Sequence, residues 1–335
     1  MKGKFVTEIT KNTRVESIFL VKEKHMGVTK NGAPYLSLRL MDRTGDINAR
    51  VWDEVKEYDA LFEKGDFIKV LCRSSIYQGA MQLTIKSLKK CDKEKISLED
   101  FLPACPFPVE EMLKELKFII NDIHDDYLKK LMKLFLEDEA FMKKYAAAPA
   151  AKAMHHVYLG GVLEHSLSIA RLARMVSDNY DHINRDLLVC GALLHDIGKV
   201  DELSYQKAFD YTDMGRLLGH ITIGVEMIEE KIKKISEFPP DLRMVLKHMI
   251  LSHHGVYEYG SPKRPKTIEA LLLYYLDDLD AKMNGFQQAF SEEDVDRPNW
   301  SRYHKLFDRY LFKHTYRSKN ASESDNSEME TSATG

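Results

Sequence analysis

The sequence has few cysteines, no long apolar run and no large excess of one charge, and each absence narrows what the protein can be. Its four cysteines are scattered and include no CxxC pair, so we interpret them as structural or incidental residues in a reducing compartment. No stretch approaches the roughly 18 apolar residues of a membrane helix, and the first ten residues, MKGKFVTEIT, lack the apolar centre of a signal peptide. We therefore expect a cytoplasmic protein without a membrane partner.

The net charge of −3 over 335 residues gives no global signal for a polyanionic partner. The charge is uneven, however, because residues 1–92 carry 17 Lys plus Arg against 12 Asp plus Glu. A local basic excess can attract nucleic acid, but an excess this small is more often a solvated surface, since a nucleic-acid-binding face is usually more basic. Charge alone leaves both interpretations open.

Alternating apolar residues in the first 90 positions predict about five β-strands separated by turn residues. The clearest case is YLSLRLMDRTGDINARVW, where the alternation runs on both sides of a Thr-Gly turn. This pattern is typical of a hairpin with one buried and one wet face. Because an open sheet would leave exposed strand edges, we predict a small closed barrel.

From about residue 97 the apolar period becomes helical, and prolines between 103 and 108 mark a joint. The predicted helices cover 109–123, 125–146, 160–179, 186–196, 219–236, 239–253, 266–285 and 299–312. The chain is therefore predicted to be multi-domain, with a β part followed by an all-α part. The predicted segments are a barrel over 1–92, a helical connector over 93–150, a helical domain over 151–315 and a disordered polar tail over 316–335.

Histidines and aspartates recur beside apolar helical segments between residues 155 and 280. The run LLVCGALLHDIGK places His195 and Asp196 at the end of a helix that Gly198 stops. Adjacent helical residues point about 100° apart, so both can face one centre only near such an end. The other members of this set are His165, His220, His253, His254 and Asp277. The choice within the pairs stays open, since His253 and His254 cannot both be assumed to be ligands, and Asp278 or Asp280 could replace Asp277.

Isolated histidines on apolar helices are more often core or surface residues than ligands. We interpret His182, His248, His304 and His314 in this way. The larger set differs, because five histidines and two aspartates near apolar segments would leave buried polar groups without partners unless a metal satisfies them.

Imidazole nitrogens and carboxylate oxygens are ligands for Mn, Fe, Co, Ni, Mg or Zn, and a carboxylate can bridge two ions. Two bridged ions suit phosphoryl chemistry, because they activate water and neutralise the developing charge. Asp196 is a candidate metal ligand and the candidate catalytic carboxylate. Lys199, one turn beyond His195, is the candidate catalytic cation for a phosphate contact.

The order H…HD…D resembles the HD superfamily of helical, metal-dependent phosphohydrolases. It is carried by His165, His195, Asp196 and Asp277. The resemblance covers roughly residues 150–285, and LDDLDAK is similar to the pattern in which the family's aspartate is found. In HD proteins that hold two metals further histidines complete the site, and the residues matching them here are His220, His253 and His254.

A closer resemblance is to the YhaM-type 3′-to-5′ exoribonucleases, which join an OB-fold to an HD domain. The segments that carry it are PAAKAMHHVYLGGVLEHSLSIA, HDIGK, GRLLGHI, SHHGVYEYGSPKRP and LDDLDAK. The resemblance implies a five-stranded OB-fold barrel followed by an all-α HD domain. It further implies metal-dependent release of nucleotides from the 3′ end of single-stranded RNA, with single-stranded DNA as a second substrate. Two divalent ions are expected, manganese first, with Co, Fe, Ni or Mg as alternatives; a homo-oligomer stays open.

Substrate contacts are expected on both domains. An OB-fold binds single strands by stacking bases on aromatic side chains in a basic groove, and the candidates are Tyr35 and Trp52, although an aromatic residue in a strand is more often core.

In the helical part, the HHxY stretch formed by His155, His156 and Tyr158 belongs to the resemblance and favours phosphate or ribose contact over metal ligation, with a helix-cap role as the alternative. Lys263 and Arg264 follow the double histidine on a Pro-rich loop and could meet the nucleic-acid backbone.

Two other functions compete with an exonuclease. A small-molecule HD enzyme is one, either a nucleotide phosphohydrolase, which would gain little from a strand-binding barrel, or a cyclic dinucleotide phosphodiesterase. The phosphodiesterase class carries a Gly-Tyr-Pro signature after its double histidine, which HHGVYEYGSPKRP lacks. The other is a strand-binding protein with a silent HD domain, against which the intact ligand set argues.

Overall fold

The structure is a computed structural model that describes residues 2–92, 96–102, 105–151, 158–204, 210–291, 299–305 and 307–313. The chain divides into two compact units, Met1–Asp280 and Ala281–Gly335. The barrel and nearly all of the helices belong to the first unit. Within the described ranges, no helix is both long and apolar enough to cross a membrane.

Five strands close into a barrel in the order β1-β2-β3-β5-β4. The strands are β1 Arg14–Val28, β2 Pro34–Asp42, β3 Gly45–Val51, β4 Phe67–Tyr77 and β5 Ala80–Lys90, with helix α1 Val55–Leu61 between β3 and β4. β3 and β5 are parallel, and the other four pairs are antiparallel. The predicted five-stranded barrel is therefore confirmed.

The predicted hairpin forms β2 and β3, and its apolar residues line the barrel interior. Leu38 pairs with Ala49 and Leu40 with Ile47, and all four side chains are buried. Because side chains alternate between the two faces of a strand, the intervening residues point outward, where a ligand can reach them.

The helical part contains nine further helices and one very short hairpin in the described residues. The helices are α2 Val109–Asn121, α3 Asp126–Leu136, α4 Glu139–Tyr145, α5 Gly161–Ser177, α6 Arg185–Leu194, α7 Lys199–Glu202, α8 Asp213–Ile232, α9 Pro240–Ser252 and α10 Ile268–Ser291. Single 3-10 turns occupy Val6–Glu8, Leu98–Asp100 and Tyr257–Tyr259, and the hairpin pairs β6 Leu203–Ser204 with β7 Asp210–Tyr211.

Two helical expectations were inaccurate. The first is the segment 125–146, which is two helices, because the Asp138 carboxylate accepts the Phe141 backbone N–H and starts α4 anew. The prediction of a helical part after the barrel is confirmed, and this part also contains the short β6–β7 strand pair.

The predicted helix over 299–312 is wrong. Its ends pair in antiparallel fashion instead, with Trp300 opposite Phe312 and their ring centroids 4.9 Å apart. The aromatic spacing resembled a helical period, but the contact between the two ends of the segment favours an extended turn.

An apolar core holds in register the helices that carry the predicted metal ligands. Helix α6 is buried along Leu187–Leu194, so it packs against neighbours on all sides. A smaller cluster joins the barrel to the helical part; it contains Ile18, Leu20 and Phe67 from the strands with Phe101, Leu102 and Leu159. Phe67 and Phe101 meet edge to face at 4.9 Å, an arrangement that aromatic pairs favour.

Candidate metal centre

The seven predicted metal ligands converge from five helices of the first unit. His165 lies on α5 and Asp277 on α10, while His220 lies within α8. The other four follow helix ends: His195 and Asp196 follow α6, and His253 and His254 follow α9. His195, Asp196 and His253 are at most 1% exposed, so the apolar helices carry these polar groups into the interior, as the sequence predicted.

The first ligand group consists of His165, His195 and Asp277. One nitrogen or oxygen from each lies within 4.8 Å of the others. The Nε2 atom of His165 is 3.1 Å from Asp277 Oδ1 and 3.4 Å from His195 Nε2. Three donor atoms at these separations can share one cation.

The second ligand group consists of His220, His253 and His254, whose nitrogens also lie within 4.8 Å of one another. The His253 and His254 rings meet edge to face with centroids 4.4 Å apart. The double histidine therefore contributes both of its members to one group, which the sequence had left open.

Asp196 lies between the two groups and directs one oxygen to each. Its Oδ2 atom is 3.3 Å from His195 Nε2 and 3.7 Å from His165 Nε2. Its Oδ1 atom is 3.4 Å from His220 Nε2 and 3.7 Å from His253 Nε2. This is the arrangement that a carboxylate needs to bridge two ions.

All five histidines are oriented alike, because an oxygen holds Nδ1 of each ring while Nε2 faces the centre. The Nδ1 partners are Asp280 Oδ2 for His165 at 2.7 Å, Ala192 O for His195 at 2.8 Å, Glu202 Oε1 for His220 at 3.1 Å, Ile250 O for His253 at 2.7 Å and Tyr259 O for His254 at 2.8 Å. These oxygens only accept, so Nδ1 carries the proton and donates. Nε2 is thus the nitrogen of each ring that is directed towards the centre as the candidate metal ligand.

Three atoms of the centre have no hydrogen-bond partner among the residues that the structure describes. They are Asp196 Oδ1, His220 Nε2 and His253 Nε2, and all are buried. An unpaired buried polar atom costs roughly 1 to 3 kcal/mol, and three of them point into one space. A divalent cation satisfies all three, and the mixed nitrogen and oxygen donors are the types that such ions bind.

The charge states agree with ligand roles. Burial, with His254 and His195 nearby, holds the pKa of His253 well below its usual range, so its ring is neutral. Burial opposes ionisation of Asp196, but Lys199 and His195 outweigh it and hold its pKa well below the usual range. The Asp196 carboxylate is therefore charged.

His165 differs from the other histidines. Burial disfavours its charged form, yet hydrogen bonds to Asp277 and Asp280 raise its pKa to about 10. Without a cation both ring nitrogens therefore donate to carboxylates. Ligation at Nε2 would release that proton, as binding of a metal to a protonated ligand does.

The barrel candidates lie together on its outer surface. The Tyr35 and Trp52 rings have centroids 5.1 Å apart, and Trp52 is 46% exposed. The Arg50 guanidinium lies over the Tyr35 ring at 5.8 Å. Trp52 is therefore not a core residue, and the group combines an accessible aromatic face with a cation.

The remaining candidates of the helical part lie at different places. Tyr158 is half-buried, and its hydroxyl donates to Glu164 at 2.7 Å. Lys263 and Arg264 are exposed on the loop after the double histidine, with the Arg264 guanidinium 5.4 Å from the Tyr257 ring centroid. His155 and His156 lie outside the described residues.

Comparison with known proteins identifies the family. The HD domain family matches residues 162–282, and the family described as OB-fold nucleic acid binding domain matches residues 14–90. The 3′-5′ exoribonuclease YhaM of Bacillus velezensis is 37% identical over 289 residues, which are 84% of this chain and 88% of that protein. The YhaM of Bacillus subtilis is 36% identical over 292 residues, 86% of this chain and 90% of that protein. The chain belongs to the YhaM family of 3′-5′ exoribonucleases.

Membership of the YhaM family confirms the resemblance inferred from the H…HD…D order and the quoted segments. The predicted order of folds is confirmed as well, since the OB-fold match precedes the HD match. The five-stranded barrel spans the former, and helices α5 to α10 carry the latter.

Two supporting carboxylates in this member of the YhaM family were not assigned from sequence. Asp280 holds His165 Nδ1 and accepts the Ser168 hydroxyl as well. The sequence signal for Asp280 was its position one helical turn after Asp277, which places both carboxylates on one face of the helix. Glu202 gave no such signal, because only the β6–β7 hairpin and the packing of α7 against α8 bring it to His220.

A glycine gives Glu202 its second role in the YhaM-family site. Gly219 has φ 73° and ψ 155°, which interrupts α8 immediately before His220. The His220 backbone N–H is therefore outside the helical ladder and donates to Glu202 Oε1 at 3.0 Å. Glu202 thus accepts from both the backbone and the ring of one ligand.

Replacing Glu202 with alanine is expected to weaken Mn²⁺ binding about 10- to 100-fold, the usual effect of losing the partner that orients a histidine ligand. Glu202→Gln should recover part of this loss because its amide oxygen still accepts. Isothermal titration calorimetry measures the affinity. Glu269→Ala is the matched control, since Glu269 is also 8% exposed and accepts a backbone N–H, from Asn184. Equal weakening in both alanine variants would contradict a positioning role for Glu202.

Proposed function

We propose that this protein is a divalent-metal-dependent exonuclease that removes nucleotides one at a time from the 3′ end of single-stranded RNA. The observation that carries the proposal is the position of Asp196, with one carboxylate oxygen facing each of two histidine groups. The YhaM relatives are named 3′-5′ exoribonucleases, which supports the substrate and the polarity. Single-stranded DNA is proposed as a second substrate.

The proposed site holds two ions. His165, His195 and Asp277 would hold the first, and His220, His253 and His254 the second, while Asp196 is shared by both. We propose manganese for both positions, with Co, Fe, Ni and Mg as the alternatives that nitrogen and oxygen donors also accept. Ions bound there would supply an activated water near neutral pH and neutralise charge on the phosphoryl group.

The protein's own residues prepare the site for this chemistry. Lys199 Nζ lies 2.6 Å from Asp196 Oδ2. Burial opposes the charge of this lysine, but Asp196 outweighs it and raises the Lys199 pKa. Lys199 is therefore a fixed cation that keeps Asp196 ionised, and we propose that it also contacts the phosphate of the bound strand. The Nδ1 hydrogen bonds of the five histidines keep their Nε2 atoms directed to the centre.

Strand binding is proposed for the barrel and for the entrance to the metal centre. Trp52 and Tyr35 would stack bases, an interaction worth roughly 1 to 3 kcal/mol per base. Contacts to phosphate or ribose are proposed for His155, His156 and Tyr158, and backbone contacts for Lys263 and Arg264. The proposed domains remain the OB-fold over 1–92, the connector over 93–150, the HD domain over 151–315 and the tail over 316–335.

A labelled strand tests this function. With 5′-labelled single-stranded RNA and Mn²⁺, we expect a ladder of products that shortens from the 3′ end, one nucleotide at a time. The same strand carrying its label at the 3′ end should release a labelled mononucleotide at once. A chelator should stop both reactions, and Mn²⁺ should restore them. Internal fragments without a ladder, or no cleavage after metal is restored, would refute the proposal; a DNA strand of the same sequence tests the second substrate.

A further inference from the structure

A basic groove lies along α9, outside the metal centre. Its volume is about 610 Å³, and Arg243, Lys247, Lys263 and Lys266 contribute to its wall. Within the described part of the chain, no Asp or Glu lines it. A concentration of four cations on a protein whose net charge is −3 creates a local positive potential that attracts anions.

Among the described residues, two of the four cations form no ion pair, and the other two share one carboxylate. Arg243 and Lys247 share a single carboxylate, Glu229, with Nε of Arg243 at 2.9 Å and Nζ of Lys247 at 3.2 Å. For Lys263 and Lys266, no ion pair forms with any residue in the described ranges. The groove therefore keeps cations available for an anionic ligand.

The loop that supplies two of these lysines is fixed along α9 by its backbone. The Lys263 N–H donates to the Leu251 carbonyl at 3.2 Å, and the Lys266 N–H donates to His248 Nε2 at 2.9 Å. The two walls of the groove are thus held at a set separation. A preformed groove loses less entropy on binding than a mobile one.

The groove leads towards the second histidine group. Lys247, Leu251 and His254 are spaced by four and three residues, which places them on one face of a helix. The path continues past the end of α9, because His253 keeps helical dihedral angles, φ −64° and ψ −26°. From Pro240 to Leu251 the face extends roughly 16 Å, at 1.5 Å per residue.

We propose that this groove binds the phosphates of the RNA strand upstream of the nucleotide that is being removed. The inference rests on the proposed exonuclease function, since it takes the 3′ end of the strand to lie at the metal centre. Phosphate contacts by lysine and arginine are independent of sequence, which suits an enzyme that must hold every strand it shortens. Met244 and Leu251 give the groove an apolar strip against which sugars can rest.

Charge neutralisation in the groove tests the proposal. Lys247→Gln/Lys266→Gln is compared with Lys114→Gln/Lys117→Gln, which makes the same charge change at two exposed lysines of α2. Fluorescence anisotropy measures affinity at several salt concentrations for strands of about 20 nucleotides, longer than the roughly 4 to 16 that an OB fold covers. We expect the plot of log affinity against log salt to become shallower by about 1.4 in the groove variant, since each phosphate contact to a single strand contributes about 0.7.

Activity on a dinucleotide, which is too short to reach the groove, should stay within about twofold of wild type in both variants. An unchanged salt slope in the groove variant would overturn the proposal, and so would an equal change in the control. Loss of dinucleotide cleavage would overturn it too, because the lysines would then act at the removed nucleotide. If the wild-type protein forms no 3′ ladder while the groove variant still loses slope, the exonuclease function fails and strand binding by the groove stands.

Discussion

Replacing Asp196 with asparagine should abolish nucleotide release while strand binding is retained. The substitution keeps the size of the side chain but removes the charge that faces both histidine groups. It also leaves the buried ammonium of Lys199 without its carboxylate. Because a bound metal supplies several kcal/mol of transition-state stabilisation, we expect kcat to fall on the order of 10³-fold or more.

Turnover of 5′-labelled RNA and anisotropy of the same strand measure the two properties separately. Asp42→Asn is the matched control, because Asp42 is also buried and forms an ion pair with a lysine, Lys2, at 2.9 Å, but in the barrel. The control should lose some stability and keep its kcat. Appreciable turnover by Asp196→Asn would contradict the assigned role, whereas equal loss of binding and turnover would point to a damaged fold.

The barrel strands were predictable because the alternation of apolar and polar residues arises within each strand by itself. In β2 and β3 every second residue is apolar, and these residues line the interior. The alternation depends only on the pleat of a strand, which is local. Helix α1 was missed because its single turn of apolar spacing, Val55 and Tyr58, is too short to distinguish from a loop.

That the candidate ligands come together was predictable for a different reason. A histidine directly after an apolar helix has few explanations other than a buried polar function, and His195 is the clearest case. No local sequence pattern indicates that the two carboxylate oxygens of Asp196 face different groups. That one oxygen faces His220 and the other His195 depends on how α6, α8 and α9 meet, and the same holds for the approach of Glu202 to His220.

The failed helix over 299–312 illustrates the limit of periodicity. Aromatic residues at positions 300, 303, 307 and 310 repeat at a helical interval, yet the segment turns back on itself and pairs Trp300 with Phe312. Aromatic side chains stabilise the pairing of two neighbouring extended segments as readily as the packing of a helix face. A helical repeat of aromatic residues therefore predicts a helix only where the same residues cannot pair as extended segments.

Gly198 is expected to be the most sensitive uncharged position near the metal centre. Its φ of −64° and ψ of −19° are helical, so alanine suits the local backbone. An alanine Cβ, however, would overlap the His220 carbonyl oxygen and lie 2.7 Å from the Gly224 amide nitrogen. The backbones of the Gly198 segment and α8 therefore touch at this point, and only a residue without a side chain allows it.

Gly198→Ala should force α8 away and carry His220 out of its group. Overpacking of this kind costs roughly 1 to 3 kcal/mol, and we expect the Mn²⁺ stoichiometry to fall from two ions to one, since His165, His195 and Asp277 do not lie on α8. Thermal unfolding in chelator and calorimetric titration with Mn²⁺ measure the two effects.

Gly224→Ala, from the opposite side of the same contact, is the matched control. Its Cβ would meet no atom closer than 3.5 Å, and alanine in a helix interior is favoured over glycine by about 1 kcal/mol, so this variant should keep both ions and lose no stability. Full metal binding by Gly198→Ala would mean that the close approach does not position His220.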